Sequence, residues 1–146
     1  MSDRPLLVVL NGPNLNLLGE REPDIYGHET LADVEALCLK RADRLEWELD
    51  FRQTNHEGVM IDAIHEVRAS AVGVVVNAGG WTHTSVAIRD ALAAVQGPVV
   101  EVHISDVHAR EEFRHHSYIS DLAAEVIVGR GVRGYVDAID AVHRHT

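Results

Sequence analysis

A chain of 146 residues has the size of one domain with room for one substantial core. An apolar share of 46% and a charged share of 25% are ordinary for a soluble globular protein, and no stretch approaches the ~20 apolar residues of a membrane span. The net charge of −10 argues against nucleic acid as a partner, which needs clustered Lys and Arg, and means that an anionic ligand must be held locally against the global field.

Short β-branched apolar runs alternate with helical periods along the whole chain. The first run, Leu6–Leu10, follows the N-terminus without a basic, signal-like segment, so no secretory signal is expected and a cytoplasmic location is the default. A helical period then runs from Leu31 to Leu45, with Thr30 and Asp33 placed to cap its start. Cys38 lies among its apolar positions, which predicts a buried packing residue, and as the only cysteine it can form no internal disulfide. Lys40, the sole lysine, sits beside Arg41 and Arg44 on a face that reads as solvated, so Schiff-base chemistry is not expected.

The next strand, Trp47–Phe51, is followed by a helix carrying Met60, Ala63, Ile64 and Val67. Val72–Val76 leads to a helix carrying Ile88, Ala91, Leu92 and Val95, capped by Thr84 or Ser85. Pro98–Val102 and Glu125–Val128 precede a last helix with Tyr135, Val136, Ile139 and Val142. The runs are apolar without alternation, as in parallel strands covered on both sides. The pattern predicts an α/β fold over residues 1–146: a flavodoxin-like open sheet of five parallel strands with helices on both faces. Ligands of such sheets bind beyond the carboxyl ends of the strands, so the loops after strands one, three and four should converge.

The first of these loops reads NGPNLNLLGEREPDIYG, long enough to be a functional element. It is either a lid hinged near Gly19 and Gly27 and carrying Arg21 and Tyr26, or an ordered surface loop whose tyrosine packs on a neighbour. Its glycines lie too far apart for a dinucleotide fingerprint and no Gly-Lys-Ser/Thr follows. After strand three comes NAGGWTHTS, where Gly79 and Gly80 permit close backbone approach and Asn77 and His83 offer neutral hydrogen bonds. On the following helix Asp90 falls opposite the core face, either solvated or reaching a second subunit. After strand four, EVHISDVHAREEFRHHSY presents His103, the Ile104 and Ser105 amides, and Arg110 and Arg114 four residues apart. A helical turn would set both arginines on one face.

The histidines His83, His103, His108, His115 and His116 match no H-E-x-x-H spacing and lack cysteine partners, so no metal is expected. With Glu101 and Asp106 nearby, a metal-dependent hydrolase or lyase stays as one alternative. A non-catalytic module binding FMN or another phosphate ligand is the other, with Trp81 as its one well-placed aromatic.

Taken together, N-G-P-N-L-N-L-L-G-x-R-E-P-x-x-Y-G at 11–27, N-H-E-G at 55–58, N-A-G-G-x-T-H-T-S at 77–85, and E-V-H-I-S with R-E-E-F-R-H at 101–115 resemble type II 3-dehydroquinate dehydratase. The resemblance covers nearly the whole chain in order. It implies conversion of 3-dehydroquinate to 3-dehydroshikimate without cofactor, metal or Schiff base, by a homo-oligomer, a dodecamer built from trimers. By resemblance Tyr26 is the general base, His103 the general acid, Arg21 the lid arginine and Asn14 the amide near the enolate. Asn77, Ile104 and Ser105 match the carboxylate-binding group, His83 and Arg114 the residues on the ring hydroxyls, and Asp90 one that reaches a neighbouring site. Thr54, Asp106 and Glu125 depart from the family pattern, and Asp106 adds a charge beside Ser105.

The residues make such chemistry intelligible. Loss of a hydroxyl β to a ketone needs a base for the α-proton and an acid for the leaving group. A free tyrosine titrates at about 10, so arginines beside its oxygen are needed to favour the phenolate; Arg21 is one and Arg110 a second. Glu101 is placed to orient the His103 ring or hold its charge.

Overall fold

The structure, a computed structural model, describes residues 3–146. Its strands are β1 (Leu6–Asn11), β2 (Glu48–Gln53), β3 (Ala71–Asn77), β4 (Val99–His103) and β5 (Glu125–Val128). Its helices are α1 (Pro23–Tyr26), α2 (Leu31–Arg44), α3 (Glu57–Val67), α4 (Val86–Ala93) and α5 (Gly134–Arg144). All pairings are parallel and the order is β2-β1-β3-β4-β5, the expected flavodoxin-like arrangement.

The period of two in each strand splits the core into two layers. Leu7 and Val9 of β1 join Val75, Val100 and Val102 in a cluster with α2 and α5. Val8 and Leu10 join Val74, Val76 and Val99 under α3 and α4. The β1–β3 boundary is the topological switch point, because the chain leaves these two strands toward opposite sides of the sheet. In register, Asn11 stands beside both Gln53 and Asn77, so three polar side chains end three adjacent strands. The Gly12 amide donates to the Asn77 carbonyl at 2.8 Å, and a Cβ on Gly12 would lie 2.3 Å from the Ala78 oxygen, which is why only glycine fits there.

Thr30 and Asp33 form a reciprocal capping box on α2, at 2.9 and 3.2 Å. On α4 the cap is Ser85, whose Oγ accepts from the Ile88 amide at 2.9 Å. Three details differ from the sequence expectation. Trp47 ends α2 instead of starting β2: its amide donates to the Ala42 carbonyl and that of Glu46 to Asp43, a Schellman closure with Glu46 left-handed at φ 59°. The 11–27 loop is not uniformly free, since Leu15 and Leu18 of a 3-10 turn are buried in the α2–α5 core and α1 occupies its far end. No single helical turn carries Arg110 and Arg114: Arg110 is extended between two 3-10 turns, Val107–Ala109 and Glu112–Arg114. The Asp106 carboxylate caps the start of the first of these turns by accepting from the His108 amide, and the extended Arg110 ends it.

A left-handed non-glycine residue costs about 1–2 kcal/mol. Glu46→Gly should therefore raise the thermal midpoint by several degrees, at about 2–4 °C per kcal/mol for a chain of this size. An unchanged or lowered midpoint in a calorimetric scan would contradict the Schellman assignment.

Candidate active site

The floor of the site is a directed hydrogen-bond chain between two core layers. The Gly79 amide donates to Asn77 Oδ1 at 3.2 Å, and Asn77 Nδ2 donates to the Tyr135 hydroxyl at 2.9 Å. Tyr135 in turn donates to Asn11 Oδ1 at 2.7 Å, and Asn11 Nδ2 donates to the Arg52 carbonyl at 3.0 Å. Burial pushes the Tyr135 hydroxyl upward, against the opposing bond from Asn77, so it is a neutral relay of hydrogen bonds. The chain fixes both amide orientations and leaves Asn77 one N–H and one lone pair for the cleft above.

One wall is built on β4. Glu101 is 1% exposed and its Oε2 makes a short contact with His103 Nε2. Ser117 Oγ donates to both carboxylate oxygens at 3.1 and 3.0 Å, and Ser120 Oγ to Oε1 at 2.7 Å. Burial alone pushes the Glu101 carboxyl up, but the bonds from His103, Ser120 and Ser117 together outweigh it and hold the group below the usual carboxylate range. Glu101 is thus an ionised acceptor, which requires His103 Nε2 to carry a proton and leaves Nδ1 for the cleft. The His83 ring stacks beside His103 at 6.4 Å between centroids, and its Nδ1 donates to the His116 carbonyl at 2.8 Å. Burial lowers the His83 titration, helped by the nearby His103 and Arg114 charges, so His83 is neutral with Nε2 free to accept.

The opposite wall carries Tyr26, at the end of α1. Arg110 Nη1 donates to its hydroxyl at 2.6 Å, and the Arg110 guanidinium also lies 5.3 Å from the ring centroid. Arg21 lies 5.4 Å from the same centroid, with its guanidinium turned to Glu22 at 3.6 Å. The arginine on the phenolic oxygen is therefore Arg110, whose side chain is 11% exposed, and not Arg21, at 38%. Asn14 sits at the cleft in a left-handed conformation, its amide held by Asn55 Oδ1 at 2.9 Å. The tight Asn14 backbone turn leaves its side chain at the mouth of β1.

A single cleft is lined by Asn14, Arg21, Tyr26, Asn77, His83, His103, Ile104, Ser105 and Arg114, with Arg110 between them. Every residue predicted for the site is thus brought together except Asp90, which is exposed on α4 outside the cleft. Asp106 is also exposed and outside it, and Glu125 pairs with Arg144 and His145 at the far end of the sheet. Trp81 does not line the cleft; it packs on the α3–α4 core. Among the described residues no three His, Cys, Asp or Glu side chains converge as metal ligands. Sequence reasoning missed Ser117, Ser120, Asn11 and Tyr135. The serines follow two exposed histidines with no spacing signal, and Tyr135 reads as an ordinary core position of α5.

Removing the Tyr135 hydroxyl strands the Asn11 oxygen and the Asn77 N–H in the interior. Tyr135→Phe should cost about 1–3 kcal/mol, read as a lowered denaturant midpoint at unchanged m-value. A loss below about 0.5 kcal/mol would mean the junction is not dry or not formed.

Residues 5–143 match the family model for dehydroquinase class II. A 3-dehydroquinate dehydratase of Dinoroseobacter shibae is 54% identical over 95% of this chain and 93% of its own length. A catabolic 3-dehydroquinase of Pyricularia oryzae is 58% identical over 95% of this chain and 90% of its own. The crystal structure of a type II dehydroquinase from Butyrivibrio crossotus superposes with a TM-score of 0.93 at 43% identity, covering 97% of this chain and 99% of that one. With sequence, fold and cleft in agreement across almost its full length, this chain belongs to the class II dehydroquinase family.

Proposed function

We propose that this chain is a dehydratase that converts 3-dehydroquinate to 3-dehydroshikimate by acid–base elimination, with Tyr26 as base and His103 as acid. The observation that carries the roles is the pairing across one cleft of a phenol held by Arg110 at 2.6 Å and an imidazole backed by the buried Glu101 carboxylate. The substrate comes from the names of the family members to which the chain is similar.

In this reading the Tyr26 oxygen, as phenolate stabilised by the Arg110 guanidinium, takes the α-proton of the ring ketone. The C–H electron pair becomes an enolate, whose oxygen is met by Asn14 with a held water. Collapse of the enolate forms the C=C bond and expels the β-hydroxyl, which leaves as water with a proton from His103. Proton transfer from Tyr26 back to His103 through solvent resets both groups. Asn77 and the Ile104 and Ser105 backbone amides receive the substrate carboxylate, while His83 Nε2 and Arg114 meet the ring hydroxyls. Arg21, on the segment between Gly19 and Gly27, closes over the bound ring and excludes water. Gly19 and Gly27, at φ 93° and 86°, flank the segment that carries Arg21 and Tyr26, which supports hinges at its two ends.

Asp90 belongs to this account only across a subunit boundary, in a dodecamer built from trimers acting in the cytoplasm. Its exposure on the outward face of α4 supports that placement. Neither rival has comparable support: Trp81 packs on the α3–α4 core away from the cleft, and among the described residues the histidines form no ligand cluster.

Incubation with 3-dehydroquinate should give rising enone absorbance in the ultraviolet that EDTA leaves unchanged, and borohydride with substrate should not inactivate. Tyr26→Phe should lose about 10²–10⁴-fold in kcat while still binding product. No absorbance change, EDTA-sensitive turnover, or a variant within tenfold of wild type would each overturn the reading. Sedimentation at a mass near that of one chain would overturn the oligomeric part.

A further inference from the structure

The strand pair Glu101–His103 is not self-supporting. A carboxylate at 1% exposure has four lone-pair sites, of which His103 takes one. The remainder are met from one short segment, 116–120, which follows the second 3-10 turn. Ser117 and Ser120 supply three donor contacts between them. Ser117 Oγ also accepts from the Ile119 and Ser120 amides at 3.0 and 3.2 Å, so the hydroxyl is oriented with its proton toward the carboxylate. The same segment provides the His116 carbonyl to His83 Nδ1 at 2.8 Å, and its Tyr118 amide is tied to the Thr82 carbonyl at 2.9 Å. It therefore reaches His103 through Glu101 and His83 directly, and lies outside the cleft itself.

We propose that segment 116–120 is a positioning element that presets opposite tautomers in the two cleft histidines, Ser117 and Ser120 acting through Glu101 on His103 and the His116 carbonyl acting on His83. His103 is held with Nε2–H on Glu101, so Nδ1 is the nitrogen left to the cleft, and it is there that the imidazolium formed by a second proton gives that proton up. His83 is held with Nδ1–H, so its Nε2 can only accept. One imidazole is thereby the acid and the other a hydroxyl acceptor, although the two lie in parallel only one ring apart. The proposal rests on the elimination reading given above for the roles, but not for the tautomers.

The groups that face Glu101 are few. His103 is on its own strand, His83 approaches from the turn after β3, and Arg114 adds a cation at the cleft. Its register partners on β3 and β5, Val76 and Val126, are apolar. Loss of a serine donor then has a definite sign. The carboxylate is stabilised less, so protonation of Glu101 sets in at higher pH, and the acid limb of kcat/KM moves up. One charge-assisted bond corresponds to about one pH unit.

Ser120 is the cleaner probe, since its Oγ donates to Glu101 while the Ser117 Oγ also holds two backbone amides. Ser120→Ala should lower kcat about tenfold with KM within twofold and raise the acid limb by about one unit. In the substrate-free protein, ¹⁵N NMR of labelled histidine, with His103→Gln for assignment, should show Nε2–H at His103 and Nδ1–H at His83. Ser120→Ala should mix the tautomers of His103 and leave those of His83 alone; if it does not fold, Ser117→Ala is read in the same way. An Nε2 without a proton at wild-type His103, or an acid limb and a His103 spectrum both unmoved in the variant, would overturn the positioning role. A wild-type chain inactive on 3-dehydroquinate but with these tautomers would overturn only the assigned reaction.

Discussion

The burial of Glu101 is the constraint from which the rest of the site follows. An unpaired carboxylate in the middle of a parallel sheet costs several kcal/mol in lost hydration. Here the cost is offset by three side chains, His103 on the same strand and Ser117 and Ser120 from the return segment. That requirement obliges the chain after β4 to fold back over the strand end instead of running directly to β5. The excursion delivers Ser105, Arg110 and Arg114 to the cleft on its way. A stability requirement in the core thus sets the geometry of the surface above it.

Charge is managed in the same local fashion. The chain carries −10 overall, yet the cleft gathers Arg21, Arg110 and Arg114 with the Ile104 and Ser105 amides. Arg110 is the most enclosed of the three, and it has the Tyr26 hydroxyl on one side with Glu22 and Glu111 at 3.8 and 3.7 Å. Those exposed acids are screened by water and are worth little, whereas the phenol contact is shielded. Arg21 rests over the Tyr26 ring with its charge turned outward, so the tyrosine is engaged by two cations in different ways. The arginine close in sequence covers the ring and the one distant in sequence holds the oxygen.

Much of this was legible in the residues alone. The strands and helices follow from apolar periodicity because burial on two faces leaves no other pattern, and the three loops converge because parallel topology sends every strand end to one edge. The misplacements have specific causes. Trp47 is apolar and β-prone, but the α2 terminus claims its amide, a backbone bond that side-chain patterning does not register. Arg110 and Arg114 suit a helical turn by spacing, but the extended backbone of Arg110 divides the segment into two separate 3-10 turns. Arg21 is near Tyr26 in sequence, and Arg110, 84 residues away, could be matched to the hydroxyl only after folding. The serines and the Tyr135 junction were invisible for the same reason, being partners across 16 to 124 positions of chain.

If the buried carboxylate makes His103 the proton donor, its charge and not its shape is essential. The most direct measurement is turnover and product affinity of Glu101→Gln, which keeps the volume and replaces the anion by an amide. The account predicts a fall in kcat of about 10²–10⁴-fold with product affinity within about threefold of wild type. A Glu101→Gln protein that retains a third or more of wild-type kcat would contradict it.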